Sequence, residues 1–376
     1  MGPAPSYPQC YNYNEIDVTP YLSLGENTFA VHTYYQGLIN RVWVSADRRQ
    51  MLWLELSVGG KTVAVSDSSW KCAEHSGYCA IRKTGLEVQF MECYDSRSPE
   101  KSFCEPNFDD SAWESACVYE NADYTLVRQP TEQIETYRRE PKITERRGDT
   151  IYLDFGRETV GYLCARATGK SGDELVLRYG EELNGDGSVR YKMRCNCIYE
   201  EKWILADGEN ELDQYDSKAF RYAEIVLPDG VQIEDVYMLV RHYPCTERAS
   251  FDADTPELEA IVRLCADTVK YGMQENFVDC PTREKGQYLG DVSVAARAHA
   301  VLTGDTTMMK KAIADFCHSC FICDGMMAVS TSSLMQEIAD YSLQFPAQVL
   351  WVTWVWPPIP MYFRNIGTPR NTLLIL

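Results

Sequence analysis

The stretch DTPELEAIVRLCADTV, residues 254–269, marks the point where this chain of 376 residues changes its secondary structure. Asp254 is a candidate helix cap, and Pro256 suits the first helical turn. Apolar residues then recur at helical spacing from Leu258 to Val269. The pattern predicts a helix that begins near residue 256 and opens an α-helical part of the chain.

Three further helices are predicted downstream, over about residues 289–302, 306–320 and 334–350. The first of these carries apolar residues at helical spacing and ends at Gly304, a residue typical of helix C-termini. This succession of helices predicts helical hairpins after residue 251.

The chain before residue 251 has the pattern of β-structure. Short β-branched and aromatic runs bounded by turn residues occur at 28–34, 52–58, 151–155 and 161–166. Residues 128–149 are polar and contain prolines and clustered arginines, which indicates a linker or a domain boundary. We therefore predict two antiparallel β-sandwiches followed by helices, with domains at 1–145 (sandwich plus linker), 146–250 (second sandwich) and 251–376 (helical).

Composition excludes several classes of function. The chain has 36 Lys+Arg against 55 Asp+Glu and a net charge of −19, so a nucleic-acid partner or an anionic membrane surface is not expected. The longest apolar run, Val349–Trp356, is too short to span a bilayer, and the first residues lack a signal-peptide pattern. Fifteen scattered cysteines favour a reducing compartment, so we expect a cytoplasmic protein.

The segment DCPTREKGQYLGD, residues 279–291, concentrates chemically active side chains between the first two predicted helices. Pro281 and Gly286 prevent one continuous helix, so we expect a loop here, where functional groups tend to gather. If the chain turns helical directly after Glu284, that residue and Asp291 lie on roughly one helical face.

Cleavage of a glycosidic bond needs a carboxylic acid that stays protonated and a second carboxylate. Asp279 and Asp291 would raise the pKa of Glu284 and accept hydrogen bonds from sugar hydroxyls. Arg283 would orient a carboxylate, and Tyr288 offers an apolar face to a sugar ring. The spacing alone leaves a second interpretation open, in which the segment is a solvated charged loop and Asp279 only caps a helix.

The motif Asp279-Cys280-Pro281-Thr282-Arg283-Glu284, with Gly290-Asp291 a short step on, closely resembles the active-site segment of bacterial α-L-rhamnosidases, a family of glycoside hydrolases. Weaker similarities to the same family occur in four stretches. These are Tyr152–Gly156, Tyr179–Leu183, Phe220–Tyr222 and Asp340–Phe345. The resemblance covers roughly residues 11–350.

The resemblance implies an inverting exo-hydrolase built from β-sandwiches and an (α/α)6 barrel, which removes terminal α-L-rhamnosyl residues from glycosides. It implies that Glu284 is the general acid and that Asp279 and Asp291 hold the terminal rhamnose. Arg283 and Tyr288 would line the same pocket, where family members often carry Trp in place of Tyr288. A rhamnose-containing glycoside is the expected substrate, without cofactor or metal.

The chain departs from the family in two respects. The family's general base lies in the second half of the barrel, beyond residue 376, and four helices cannot close a twelve-helix barrel. Residues 352–376 also replace an expected amphipathic helix with tryptophans and prolines. We therefore expect an internal fragment of a longer enzyme that lacks the general base.

The rival hypothesis is a non-catalytic carbohydrate-binding β-sandwich, in which Tyr34, Tyr35, Trp43 and Trp53 form a sugar-binding face. A metal interpretation of Cys317, Cys320 and Cys323 has less support, because a fourth ligand at suitable spacing is missing and the three fall on one side of a helix.

Overall fold

The computed structural model describes residues 3–5, 10–35, 50–120, 123–321, 325–331 and 337–355. All sixteen strands of the described part precede residue 243, and its four α-helices follow residue 255. The predicted change from β to α structure is therefore confirmed. Trp43, Cys323 and the tail after residue 355 lie outside the described residues, as do the predictions made on them.

The strands are numbered in chain order. They are β1 (Cys10–Tyr13), β2 (Glu55–Val58), β3 (Lys61–Val65), β4 (Lys71–Cys72), β5 (Tyr78–Thr84), β6 (Gln89–Asp95), β7 (Glu114–Ser115), β8 (Thr125–Arg128), β9 (Glu135–Arg139), β10 (Ile143–Arg147), β11 (Thr150–Gly169), β12 (Glu174–Gly180), β13 (Glu200–Ile204), β14 (Gly208–Glu211), β15 (Lys218–Val226) and β16 (Gln232–His242).

A ten-stranded sheet dominates the β part, in the order β5-β6-β13-β12-β15-β11-β16-β9, with β10 and β14 also paired to β11. The 20-residue β11 organises this sheet, because it pairs with four strands in succession. Along it, Leu163, Ala165 and Ala167 are buried and alternate with more exposed neighbours, as expected of a strand with one face on a core. Trp203 and Phe220 are fully buried in the same core.

The predicted linker over residues 128–149 is wrong, because β9 and β10 form within it and pair with β16 and β11. Their arginines and glutamates lie on exposed strand faces, so a polar composition did not exclude a strand. The sheet also crosses the predicted domain boundary at residue 146, since β5, β6, β9 and β10 all precede it.

The first predicted sandwich appears in the described residues as three separate two-stranded sheets, β1–β8, β2–β3 and β4–β7. Residues 28–34 alternate in the sequence but form no strand. Two pairings, β1–β8 and β6–β13, are parallel, so the prediction of purely antiparallel sheets is wrong. Parallel neighbours need a long connection, and here β6 and β13 are separated by more than one hundred residues.

The helices agree well with the sequence. They are α1 (Pro256–Gly272), α2 (Leu289–Thr303), α3 (Thr307–His318) and α4 (Ala339–Leu350). Gly304 ends α2 in the left-handed conformation with φ 76°, which only glycine adopts at little cost. Four helices are described, and the (α/α)6 barrel stays a prediction.

The helices share a second core, whose centre includes Phe277, Leu289, Val292 and Phe316. Apolar side chains also remain uncovered on α1 and α2, among them Leu264 and Val294. Each described helix is too short or too polar to span a bilayer.

Candidate active site

Residues 279–288, here called the motif loop, connect α1 to α2 through a chain reversal closed by its own hydrogen bonds. The Asp279 amide donates to the Gly286 carbonyl at 2.9 Å, and the Gly286 amide donates back to the Asp279 carboxylate at 2.9 Å. The Lys285 amide donates to the Cys280 carbonyl at 3.0 Å, and Lys285 has a left-handed φ of 50°. The predicted loop is confirmed.

The closure of the loop decides where Glu284 stands relative to Asp291. Helix α2 begins only at Leu289, so Asp291 lies in its first turn while Glu284 lies in the loop before it. The expectation that the two carboxylates share a helical face is wrong, because the bonds between Asp279 and Gly286 turn the chain back before the helix starts.

Glu284 is buried, with only 8% of its surface exposed. The Cys280 thiol donates to its Oε2 at 2.9 Å, and the Arg283 guanidinium contacts its Oε1. One carboxylate oxygen each of Asp279 and Glu284 lies with the Cys280 sulfur in a group whose atoms are all within 4.8 Å of one another. The loop thus holds one carboxyl group against another carboxyl, a thiol and a guanidinium, away from bulk water.

Asp279 and Asp291 differ in their surroundings. Asp279 is largely enclosed, and burial raises the pKa of its carboxyl above the ordinary value, with the Asp291 carboxylate adding to the rise. Asp291 itself is exposed. The two acids that the sequence placed around Glu284 therefore interact electrostatically, although they lie on different elements.

Tyr288 and Tyr341 stand at the start of α2. Tyr288 is the residue before the helix, pairs in a β-bridge with Ser330, and has a buried hydroxyl. The ring of Tyr341 on α4 packs on Gly290, so closely that a Cβ at Gly290 would come within 2.7 Å of ring carbons. Asp291, Asp340 and Asp279 add to burial in raising the pKa of Tyr341. Tyr341 thus stands near the same carboxylates, a placement that sequence reasoning did not assign.

The other side of the motif loop is attached to the β-sheet. Tyr199 donates its hydroxyl to the Thr282 carbonyl, and the Gln89 side-chain amide donates to the Arg283 carbonyl. The Thr282 hydroxyl donates to Glu181. Each contact joins residues more than 80 positions apart, so the sheet and the helices hold the loop between them.

Lys285 makes the deepest of these attachments. Its ammonium donates to both carboxylate oxygens of Asp216 at 2.8 Å and to the Ser217 carbonyl at 2.6 Å, and both charged side chains are buried. Burial lowers the pKa of Lys285, while the charge of Asp216 opposes that change. A buried ion pair with all its donors used fixes geometry more than it adds net stability.

A charged cluster continues beneath this pair. Lys218 lies 2.8 Å from Glu201, with both side chains 1% exposed. Burial lowers the pKa of Lys218, but the carboxylates of Glu201, Asp216 and Glu92 outweigh it and raise the pKa overall. Burial is also the main cause that raises the pKa of Glu92 to about 7. Buried side chains of opposite charge therefore lie next to one another in the sheet below the motif loop.

Asp279, Cys280 and Glu284 are also the described residues with the spacing of metal ligands. A structural zinc site takes four ligands and needs a thiolate. The trio supplies three ligand atoms, and burial raises the pKa of Cys280, which disfavours the thiolate. The donor set therefore does not fit such a site.

Two rings of the rival sugar-binding face pack against other tyrosines. Tyr34 stacks on Tyr215 with ring centroids 4.6 Å apart, whereas Trp53 packs near Tyr13 at 5.7 Å. For the cysteine motif, burial raises the pKa of Cys317 to about 11. A neutral thiol at Cys317 fits a small apolar side chain better than a metal ligand.

Sequence reasoning collected Asp279, Arg283, Glu284, Tyr288 and Asp291 in one segment, and the structure places the first three in mutual proximity. The sequence analysis did not predict the role of Lys285, which lies inside the same motif. Its position next to Glu284, in a loop that must be held rigid, was the local indication that it anchors the loop. Its partner Asp216 carried no local signal, because the pair joins distant parts of the chain.

Three family models match the chain in succession. They are the α-L-rhamnosidase N-terminal domain over residues 2–138, the bacterial α-L-rhamnosidase concanavalin-like domain over 144–240, and the bacterial α-L-rhamnosidase six-hairpin glycosidase domain over 246–358. Together the three models cover most of the chain.

Curated relatives carry the same description. The chain is 24% identical to an α-L-rhamnosidase of Streptomyces avermitilis over 82% of its own length, and 24% identical to one of Formosa agariphila over 74%. It spans 31% of the length of each.

Solved structures share the fold. A GH78 family rhamnosidase of Bacillus sp. GL1 superposes with a TM-score of 0.78 at 12% identity, over 92% of this chain and 60% of that one. The S. avermitilis α-L-rhamnosidase complexed with L-rhamnose gives 0.64 at 21% identity, over 80% and 29%. The three domain models and the curated relatives agree with the motif, and the chain belongs to the bacterial α-L-rhamnosidase family of glycoside hydrolases.

Proposed function

We propose that the protein carrying this chain hydrolyses terminal non-reducing α-L-rhamnosyl residues of glycosides, with Glu284 as general acid and with inversion at the anomeric carbon. The observation that carries the proposal is the burial of Glu284 beside Asp279 in a loop held from both sides. A general acid must be held in a fixed position, and the bonds of this loop to the helices and to the sheet hold Glu284 in place.

The neighbours of Glu284 suit the two states of a proton donor. Burial and the nearby Asp279 carboxyl disfavour a negative charge on Glu284, whereas the Arg283 guanidinium favours it. The Arg283 guanidinium contacts the same carboxyl group and stabilises the carboxylate that remains once the proton has moved to the glycosidic oxygen.

We assign binding of the terminal rhamnose to Asp279, Asp291, Arg283 and Tyr288. Carboxylates and a guanidinium can hydrogen-bond to sugar hydroxyls, and the rings of Tyr288 and Tyr341, at the start of α2, offer apolar faces to a sugar ring. Inversion requires a second carboxylate about 6.5–9.5 Å from the acid, with room for water between them. We assign that base to no residue of this chain, which spans 31% of its curated relatives.

The test uses a protein that contains this chain and is as long as its curated relatives. It compares the Glu284→Gln variant with the parent protein. Hydrolysis of methyl α-L-rhamnoside, whose alkoxide leaving group must be protonated, should fall about 10²- to 10⁴-fold, with rhamnose affinity retained, because glutamine keeps the shape but has no acidic proton. Glu145→Gln, an exposed residue of β10, is the matched control. Near-normal turnover by Glu284→Gln would remove the residue from this role.

We also propose that the protein works in a reducing compartment, as in the cytoplasm. Cys79 and Cys93 lie directly opposite each other on β5 and β6, and both are free thiols. A disulfide between them in protein isolated without reductant from its native cells would contradict this.

A further inference from the structure

A buried charge cluster lies between the ten-stranded sheet and the motif loop. It consists of Glu92 on β6, Glu201 on β13, Asp216 just before β15, Lys218 at the start of β15 and Lys285 of the motif loop. At most 7% of the surface of any member is exposed. The cluster therefore connects strands of the sheet to the residue that follows the proposed general acid.

Glu92 holds the backbone that carries Asp216. Its Oε2 accepts hydrogen bonds from the backbone amides of Tyr215 at 3.1 Å and of Asp216 at 3.4 Å. The Asp216 carboxylate in turn accepts two hydrogen bonds from the Lys285 ammonium at 2.8 Å. A continuous series of contacts thus runs from Glu92 through Asp216 to Lys285, the neighbour of Glu284.

The ionic charges of the cluster do not balance. Three carboxyl groups face two ammonium groups, so full ionisation would leave one negative charge without a partner. Arg241 on β16 lies beside Ser217, but its guanidinium is paired with Glu275. A buried charge without a partner is costly, and a carboxyl group avoids that cost by keeping its proton.

Glu92 is the carboxyl group on which the proton belongs. Glu201 lies 2.8 Å from Lys218, and Asp216 is paired with Lys285, whereas the hydrogen bonds that described residues make to the Glu92 carboxyl come from neutral backbone amides. Burial is the main cause that raises the pKa of Glu92 to about 7, and the Lys218 ammonium opposes the rise, while the carboxylates of Glu201 and Asp216 add to it.

The other titratable side chains that face the cluster are neutral near pH 7, because burial raises their pKa values. They are Tyr78, Tyr179 and Tyr215, which interact with Glu92, Tyr162 and Tyr199, which interact with Asp216, and Cys197, which interacts with Lys285. Asp213 accepts a hydrogen bond from Tyr78 but is exposed to solvent. The net charge of the cluster near neutral pH therefore depends on the proton of Glu92.

Loss of that proton acts mainly on Asp216. Glu92 and Glu201 lie on β6 and β13, which are paired with each other, whereas Asp216 lies in the connection before β15. Repulsion between carboxylates is strong in surroundings of low polarity, so the less restrained Asp216 is the group that moves. Because Asp216 is bonded to Lys285, its movement disturbs the motif loop.

We propose that Glu92 is a positioning residue for the general acid, which in its protonated form holds Asp216 and Lys285 in place and in its ionised form loosens the motif loop. The proposal rests on the proposed function, because it takes Glu284 as the general acid. Glu92 acts through Asp216 and Lys285 and is not itself a catalytic residue.

The first experiment tests the proton of Glu92 by infrared spectroscopy of this chain. At about pH 6 the parent should show carbonyl-stretch intensity of a protonated carboxylic acid that Glu92→Gln lacks, and the difference should disappear by about pH 8. Glu87→Gln, an exposed residue before β6, is the matched control and should give the parent's spectrum. Equal intensity in the parent and in Glu92→Gln at about pH 6 would overturn the proposal.

The second experiment measures the motif loop by deuterium exchange of the peptide that contains residues 279–288. After correction for the intrinsic rate, exchange in the parent should be about tenfold faster at about pH 8 than at about pH 6. Glu92→Gln should show no such increase, because its amide is uncharged and can accept the same backbone hydrogen bonds. The same response to pH in both proteins would also overturn the proposal.

The third experiment measures turnover of methyl α-L-rhamnoside in a protein that contains this chain and is as long as its curated relatives. Glu92→Leu cannot accept the amide bonds and should lower kcat about tenfold with KM changed less than about twofold, and Glu92→Gln should restore kcat. Unchanged kcat in Glu92→Leu, or a loss that Glu92→Gln shares, contradicts the positioning role. Normal turnover by Glu284→Gln contradicts the proposed function instead, since the infrared and exchange results do not depend on activity.

Discussion

The ammonium nitrogen of Lys285 lies 2.8 Å from each carboxylate oxygen of Asp216, although 69 residues separate the two along the chain. This pair ties the residue after Glu284 to the edge of β15, in the core of the β-sheet. The position of the proposed general acid therefore depends on the domain before the helices as well as on the helices themselves.

Lys285→Met should lower the free energy of unfolding by about 3–5 kcal/mol, because it leaves the buried Asp216 carboxylate without its partner. Asp216→Leu combined with Lys285→Met should cost less than Lys285→Met alone, since neither charge of this pair is then buried without its partner. Denaturant titration measures both. Arg97→Ala breaks the exposed pair with Asp95 and should cost under about 1 kcal/mol. Equal losses for Lys285→Met and Arg97→Ala would show that the buried pair does not hold the loop.

Asp291→Asn should lower the pKa of Asp279, because the Asp291 carboxylate is one of the groups that raise it. The change should be small, since solvent screens the exposed Asp291. Carboxyl ¹³C shifts followed against pH measure it. Asp340→Asn is the matched control, because Asp340 influences Tyr341 but is not among the causes of the shift at Asp279. An unchanged pKa of Asp279 in the Asp291→Asn variant would contradict the electrostatic interaction between the two carboxyl groups.

Gly290→Ala should destabilise the fold by about 1–3 kcal/mol and displace the Tyr341 ring, because the new methyl group would come within 2.7 Å of it. Thermal unfolding and the fluorescence of the tyrosine-rich chain measure the loss. Gly272→Ala at the end of α1 meets no atom within 4 Å and should be neutral or stabilising by under about 1 kcal/mol. Equal effects of the two substitutions on stability would show that Tyr341 does not pack closely on Gly290 of α2.

Glu92 predicts a pH dependence of stability. Its pKa is about 7 in the folded chain against an ordinary value of 4.5, mainly because of burial. Between those two values the folded state holds a proton that the unfolded state has lost, so this residue makes stability fall as pH rises through the window. Glu92→Gln should therefore flatten the decline between pH 4.5 and 7 and be the more stable protein at pH 8, by on the order of 1 kcal/mol. Glu87→Gln, an exposed control, should retain the parent's slope.

The helical part followed from local patterns. Helix α2 runs from Leu289 to Thr303, within a residue of the range that apolar spacing and Gly304 predict. The motif loop was also predicted, because Pro281 and Gly286 exclude a continuous helix. The prediction for residues 128–149 was wrong because their strands are not determined by local pattern. Their side chains are polar on exposed strands, so β9 and β10 depend on pairing with β16 and β11 rather than on composition.

The amino-acid order alone was sufficient to identify the family, the change from β to α structure and the segment that carries the carboxylates, because caps, periodicity and motif spacing act over a few residues. The folded chain was needed to bring Asp216 to Lys285, Glu181 to Thr282 and Tyr341 to Gly290. Those contacts join residues tens to more than a hundred positions apart, and their energy comes from burial and charge pairing that no local pattern encodes.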